Sequence, residues 1–208
     1  FTLETWLRSS SNSATNEIFT WGNTSGAVSD YATLRTDAGK LSFGAFSGSW
    51  QGTNSLRDVA DGSWHHVAVV KDGSTVTLYV DGEQDQSGTF SLSPSVDTAL
   101  LGGLWQGGSL TAGHLFTGDL DEFRLWTEAR SRAQIQAKMH QRLTGEEANL
   151  EVYFAMYDST GLTLSDNSSR GHPALLNGTP AWQASGALSG PDFSLDFDGV
   201  DDYVWVPN

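Results

Sequence analysis

The stretch 64–82 reads WHHVAVVKDGSTVTLYVDG: two apolar runs joined by Asp72-Gly73 and closed by Asp81-Gly82. Apolar and polar residues alternate with the two-residue period of a strand. Asp-Gly supplies the left-handed backbone of a tight hairpin turn, so this stretch commits the chain to antiparallel sheet. Similar short, turn-bounded runs recur at residues 1–8, 120–126, 150–157, 194–197 and 203–206. Glycine, at 23 of 208 residues, joins Asn, Asp and Ser in the turns between them. The pattern predicts an all-β sandwich or barrel. Several runs are apolar on both faces, as expected of strands held between a second sheet and covering loops.

Two segments depart from this rhythm. Residues 131–143 (SRAQIQAKMHQRL) set Ile135, Met139 and Leu143 at helical spacing, and Ser131 with Gln134 forms a capping-box pair. One short amphipathic helix packed on the sandwich is expected there. Residues 158–177 are polar and turn-rich, but Leu162, Leu164, Leu175 and Leu176 offer apolar anchors. They predict an ordered loop wrapped on the core.

The charge balance narrows the function. Eleven basic against 25 acidic residues give a net charge of −14. That excludes the basic footprint that nucleic acid or an anionic membrane surface requires. It suits a soluble secreted protein or a calcium binder, and also a surface that is acidic for solubility alone. No apolar run is long enough for a membrane helix. Any signal peptide is expected to lie outside this stretch. The absence of cysteine removes disulfides, thiolate zinc sites, iron–sulfur clusters and cysteine nucleophiles together.

Five segments carry a family resemblance: FTLETWLR at Phe1, GSWHHVAVVKDGSTVTLYVDGE at Gly62, TGDLDEFRLWTEARSRAQIQ at Thr117, LEVYFAMYDSTGLTLSDNSSRGHPALLNG at Leu150 and LDFDGVDDYVWVPN at Leu195. Together they resemble the laminin-G-like, concanavalin-A-like jelly-roll superfamily, in its pentraxin-related bacterial branch. The resemblance implies a jelly-roll β-sandwich of two antiparallel sheets with one short helix. The segment order is rotated. Residues 150–208 resemble the family's N-terminal part and residues 1–143 its remainder. One circularly permuted domain spanning residues 1–208 is expected. A piece of a tandem array and strand exchange with a neighbouring molecule are the alternatives.

Candidate chemistry starts with acids. Alternation puts Asp119 and Asp121 on one face of their strand and Glu122 on the other. Phe123 stands where the third carboxylate of a laminarinase-like enzyme would be, which argues against glycan cleavage. The resemblance implies a calcium ion held by Asp121, Asp166, Gly171 and Asp198. Local turns made by Asp166 and Asp198 are the alternative use of those side chains. His65 and His66 point to opposite faces and cannot share a metal, while His114 and His172 fall in loops. No nucleophile elbow, phosphate loop or dinucleotide fingerprint is present.

The aromatic residues favour binding. Trp50 and Trp105 sit in Gly- and Gln-flanked segments, SWQG and LWQG, outside the evident strands. Indoles stack on the C–H faces of sugar rings. Trp50 and Trp105 are the predicted stacking anchors, with Gln106, Asp30, Tyr31 and Asn54 as polar neighbours. The alternative is that each Trp packs under its own loop. The expected function is a non-catalytic, extracellular carbohydrate-binding module, monomeric and calcium-stabilised, with a glycan or polysaccharide as ligand. A protein–protein adhesion module, with a surface protein as partner, and a structural spacer are the rival readings.

Overall fold

The computed structural model describes residues 1–23, 30–92, 98–189 and 192–207. In chain order the strands open with β1 (Thr2–Arg8), β2 (Asn16–Asn23), β3 (Asp30–Asp37), β4 (Lys40–Ser47), β5 (Trp50–Asp58) and β6 (Trp64–Asp72). Next come β7 (Thr75–Val80), β8 (Glu83–Thr89), β9 (Thr98–Leu101), β10 (Gly103–Gln106), β11 (Ser109–Leu115) and β12 (Thr117–Trp126). Helix α1 (Arg132–Lys138) follows. The chain closes with β13 (Leu150–Phe154), β14 (Thr163–Leu164), β15 (Ala174–Asn177), β16 (Ala181–Ala184), β17 (Phe193–Asp198) and β18 (Tyr203–Val206).

These strands form a jelly-roll β-sandwich. The first sheet runs β16-β17-β12-β1-β6-β7-β8, with β13 paired to the far part of β12. The second runs β14-β15-β18-β9-β2-β3-β4-β5, and β10 with β11 makes a separate hairpin. Leu3, Leu7, Val67, Val69, Leu78 and Leu120 of the first sheet face Ile18, Leu34, Phe43, Leu101 and Val204 of the second in one buried core. Each such side chain contributes about 1.5–3 kcal/mol of burial. The two Asp-Gly turns fall as the sequence predicts, joining β6 to β7 and β7 to β8. Residues 150–207 supply strands to both sheets, and Leu195, Phe197, Val204 and Val206 join the core with Leu3 and Leu7. Asn208 lies outside the described residues.

A β-bulge reverses the alternation along β12. Glu122 takes a positive φ of 54°, and the pairing with β1 shifts register at that level. A bulge inserts one residue against its partner strand and flips the parity beyond it. Leu120 therefore points into the core, and so do Phe123 and Leu125. Asp121 and Glu122 consequently share the outer face, where strict alternation predicts opposite faces.

Helix α1 is shorter than the 131–143 expectation. Ser131 caps it, with the Gln134 side chain returning to the Ser131 backbone. It ends at Lys138 because the following carbonyls serve the sheet below. Arg124 donates to the Lys138 and Gln141 carbonyls at 3.0 and 2.6 Å, and Trp6 Nε1 donates to Met139 at 2.9 Å. Ile135 packs on Ala68, Val70 and Tyr79, and Leu143 joins a separate cluster with Trp126. Of the four leucines expected to anchor residues 158–177, Leu164 and Leu176 are buried and Leu162 and Leu175 are exposed. Leu175 and Leu176 are neighbours on β15, so a strand can bury one alone. Among the described residues no helix is long and apolar enough to cross a membrane.

Candidate functional site

The outer face of the second sheet can be read from its register. Ile18, Leu34, Phe43 and Leu101 point inward, so Thr33, Arg35, Gly44 and Leu100 point outward. One cross-strand row on that face runs Trp205, Leu100, Thr20, Thr33, Gly44, Gly52. The β10–β11 hairpin contacts β2 and β9. Leu100, Thr20 and Thr33 are fully buried in this structure, and the face divides into two patches.

The first patch lies on β3, β4 and β5. The indole edge of Trp50 rests on glycine: a Cβ at Gly44 would stand 2.5 Å from Trp50 Cζ2, and one at Gly52 3.0 Å from the same atom. The Arg35 guanidinium lies 4.2 Å from the Trp50 ring centroid, a cation–π contact. Trp50 nevertheless remains 37% exposed. Tyr31 and Phe46 stack at 5.7 Å beside it, and Asn54 is exposed farther along β5. Behind these residues Glu17 is buried, accepting from the Thr33 hydroxyl and pairing with His114 Nδ1 at 3.0 Å. Burial first, and the Glu17 charge second, push the Tyr31 phenol up, so it stays protonated and able to donate.

The second patch is built around Trp105. Its ring lies 5.9 Å from Trp205 and 6.1 Å from Tyr203, on the far side of the hairpin. Trp205 and the glycine seat of Trp50 are four strands apart, about 19 Å at ordinary strand spacing. Trp50 and Trp105 therefore do not form one stacking site. Trp50, Tyr31 and Asn54 share the first patch, and Trp105 with Gln106 belongs to the second. Asp30 opens β3 one residue before Tyr31, on the opposite face of that strand. Sequence reasoning did not include Arg35, Phe46, Gly44 and Gly52. The available signal was the pair of glycines flanking Trp50, spaced to fall opposite each other in a hairpin. His114, expected in a loop, stands on β11.

The structure does not bring Asp121, Asp166, Gly171 and Asp198 together. Asp166 is fully used by its own loop and by strand β13, accepting from Ser168 N, Ser168 Oγ and His172 N in the loop and from Tyr153 N on the strand. Gly171 sits in the same loop with positive φ. Asp198 accepts from Val200 N and groups with Asp201 and Asp202. Asp121 groups instead with Glu122 and Asp192, all buried on the outer face of the first sheet. Burial first, then the charges of Asp192 and Glu122, push Asp121 up to about 8. Asp119 is buried against Arg8 at 2.9 Å. Neither Asp119 nor Asp121 is open to a sugar. His66 is also buried on this outer face, 3.3 Å from Glu4, while His65 pairs with Asp61 and Asp81.

An apolar cavity of about 410 Å³ opens between the sheets, walled by Phe1, Phe19, Trp21, Phe123 and Phe154. None of the residues that the sequence singles out for binding line it.

No match is found among curated proteins. A laminin G-type profile, described as the concanavalin A-like lectin/glucanases superfamily, matches residues 1–136. Among solved structures the chain is similar to a candidate carbohydrate-binding protein from Bacteroides ovatus. The TM-score is 0.59 at 19% identity, over 83% of this chain and 50% of that one. This chain thus spans half the length of that relative. It is also similar to the CBM40 module of the Ruminococcus gnavus IT-sialidase, seen with α2,3-sialyllactose, at a TM-score of 0.56 and 18% identity. That likeness covers 65% of this chain and 80% of that one. Domain 4 of AbnA, an extracellular arabinanase from Geobacillus stearothermophilus seen with arabinotriose, gives 0.51 at 20% identity, over 65% and 64%. At these identities the likeness is one of fold.

Proposed function

The chain belongs to the concanavalin A-like lectin/glucanases superfamily, and on that premise we propose that it is a non-catalytic carbohydrate-binding module taking a neutral glycan on the Trp50 patch. The observation that carries the reading is the seating of Trp50. An indole held by its edge on two glycines and against Arg35, yet still exposed, is a preorganised platform for a sugar ring. Tyr31 and Asn54 supply polar neighbours. Sialyllactose and arabinotriose in the structural neighbours support a glycan as the ligand class.

Neutrality follows from local charge. Residues 30–58 contain three cations, Arg35, Lys40 and Arg57, and each already pairs with an acid, Asp37, Asp58 and Asp85. With a net charge of −14 behind them, they offer an anionic sugar no free counter-charge. The buried positions of Asp119 and Asp121 support a binding rather than a cleaving role, since a glycosidase needs two acids flanking its substrate. The proposal includes an extracellular setting, where polymeric glycans are met.

The test is a glycan and polysaccharide array followed by calorimetry on the bound class. Trp50→Ala is expected to weaken binding about tenfold or more, with Trp105→Ala the smaller effect. Binding that survives Trp50→Ala, a strict preference for sialylated or uronic polymers, or no glycan bound at all would each overturn the reading.

A further inference from the structure

The cavity between the sheets shares no residue with the Trp50 patch. Its wall is a continuous chain of aromatic rings. Phe1 meets Trp21 edge-on at 5.8 Å, and Trp21 lies 5.5 Å from Phe19. Phe19 lies 4.8 Å from Phe123, which stacks on Phe154 at 5.9 Å. The chain crosses from β2 in the second sheet to β12 and β13 in the first. The bulges in β2 and β12 turn Phe19 and Phe123 inward. Planar rings braced against one another hold the sheets apart, where flexible aliphatic side chains would close the gap. Protein interiors carry few voids larger than a water molecule. About 410 Å³ among buried rings is a far larger space.

The rim is polar where the floor is not. Thr127 is exposed there, and Glu151 and His172 are partly exposed. Glu151 Oε1 stands 3.5 Å from His172 Nε2, and Glu151 Oε2 stands 3.7 Å from Arg170 Nε. Both separations are ion pairs too long for hydrogen bonds, so the carboxylate can still accept from a hydroxyl. Thr127 Oγ1 donates to the Asn149 carbonyl at 3.3 Å, and its lone pairs can accept.

We propose that this cavity binds a small neutral amphiphile, with its apolar body between the sheets and a hydroxyl at the Glu151 rim. An apolar cavity stays dry and takes apolar molecules, and this one has the size of ordinary ligand pockets. At about 30 Å³ for each water-sized group, it has room for roughly a dozen non-hydrogen atoms. Neutrality follows from the charges. Arg170 already faces Glu151, so a cationic head finds no unpaired acid. The net charge of −14 disfavours an anionic head. This proposal is independent of the glycan reading.

The test titrates the intact chain with decanol, decanoate and decylamine, each below its micelle concentration. The three share one alkyl body and differ in the charge of the head. With decanol about tenfold above its Kd, Tm is expected to rise by roughly 3–6 °C. Decanoate and decylamine are expected to bind at least tenfold more weakly. Trp21 stands in the wall, so ω-bromodecanol is expected to quench tryptophan fluorescence at the same concentrations. Ala99→Leu and Val206→Phe fill the cavity from the second sheet, and each is expected to weaken decanol binding tenfold or more. Two positions are used because either side chain can overpack. Neither a Tm rise nor quenching with decanol overturns the proposal. Undiminished decanol binding in a folded Ala99→Leu or Val206→Phe also overturns it, as does decanoate or decylamine binding as tightly as decanol.

Discussion

Asp166 collects four donors within its own neighbourhood, at 2.7 to 3.0 Å. Burial alone would raise its pKa, but these hydrogen bonds outweigh burial and hold the carboxyl below its ordinary 3.8. A carboxyl depressed in the folded state stabilises the protein above its unfolded pKa, and that stability drains away as pH falls through the folded value. Asp166→Asn is therefore expected to cost about 1–2 kcal/mol at pH 7, toward the low end for charge-assisted hydrogen bonds because the residue is partly exposed. The cost should shrink as the pH is taken below about 4. Urea unfolding at stepped pH checks both points. The acidic loop and its turn chemistry were legible in the sequence as one of two uses for Asp166. The choice between them was not, because Tyr153, whose backbone N–H it receives, lies on a strand thirteen residues away. Trp50 divides in the same way: its exposure was foreseeable from its flanks, whereas its seat against Arg35 required the register of three strands.

Strands show the same limit at the next scale. Alternation predicted β7 and β18 at their observed ends and located β1, β6, β12, β13 and β17. The polar, glycine-rich β2 to β5 gave no such signal, although they build the Trp50 patch. Bulges are the deeper obstacle. Register shifts interrupt β2 near Glu17, β4 near Lys40 and β12 at Glu122. Those in β2 and β12 insert one residue and reverse which residues face outward, whereas Leu41 and Phe43 of β4 both stay inward, and the one in β12 falls on a glutamate rather than a glycine. That single reversal brings Glu122 beside Asp121. The β4–β5 hairpin offers a test of platform seating. A methyl group at Gly44 would sit 2.5 Å from the Trp50 ring and 2.4 Å from the Gln51 carbonyl. Gly44→Ala is therefore expected to cost about 1–3 kcal/mol by overpacking. It should also weaken glycan binding as Trp50→Ala does, in a protein whose far-ultraviolet circular dichroism is unchanged. Full affinity in a folded Gly44→Ala would show that the glycine seat does not position the ring.

For the whole molecule, the five motif segments carried the sandwich, but the rotated order left open whether residues 150–208 complete this chain or a neighbour. Within the described residues they complete both sheets here, and Phe1 and Pro207 line the same cavity. A rearranged chain, linked from Asn208 to Phe1 by a short flexible segment and opened between the exposed Ala148 and Asn149, is expected to fold with a Tm within a few degrees of the original. Calorimetry on the rearranged protein checks this, and loss of cooperative unfolding would count against the permuted reading. The hairpin has a different consequence. Its foot is fixed by buried Gly103, Leu104 and Phe116, while its tip, Gly107 and Gly108, is exposed, and a Cβ added at either glycine would meet open space. Doubling the length of such a tip costs only about 0.6 kcal/mol of chain closure. The sandwich therefore carries an adjustable partition: variation at two solvent-facing glycines can lengthen or shorten the outer surface of the second sheet without disturbing one core contact.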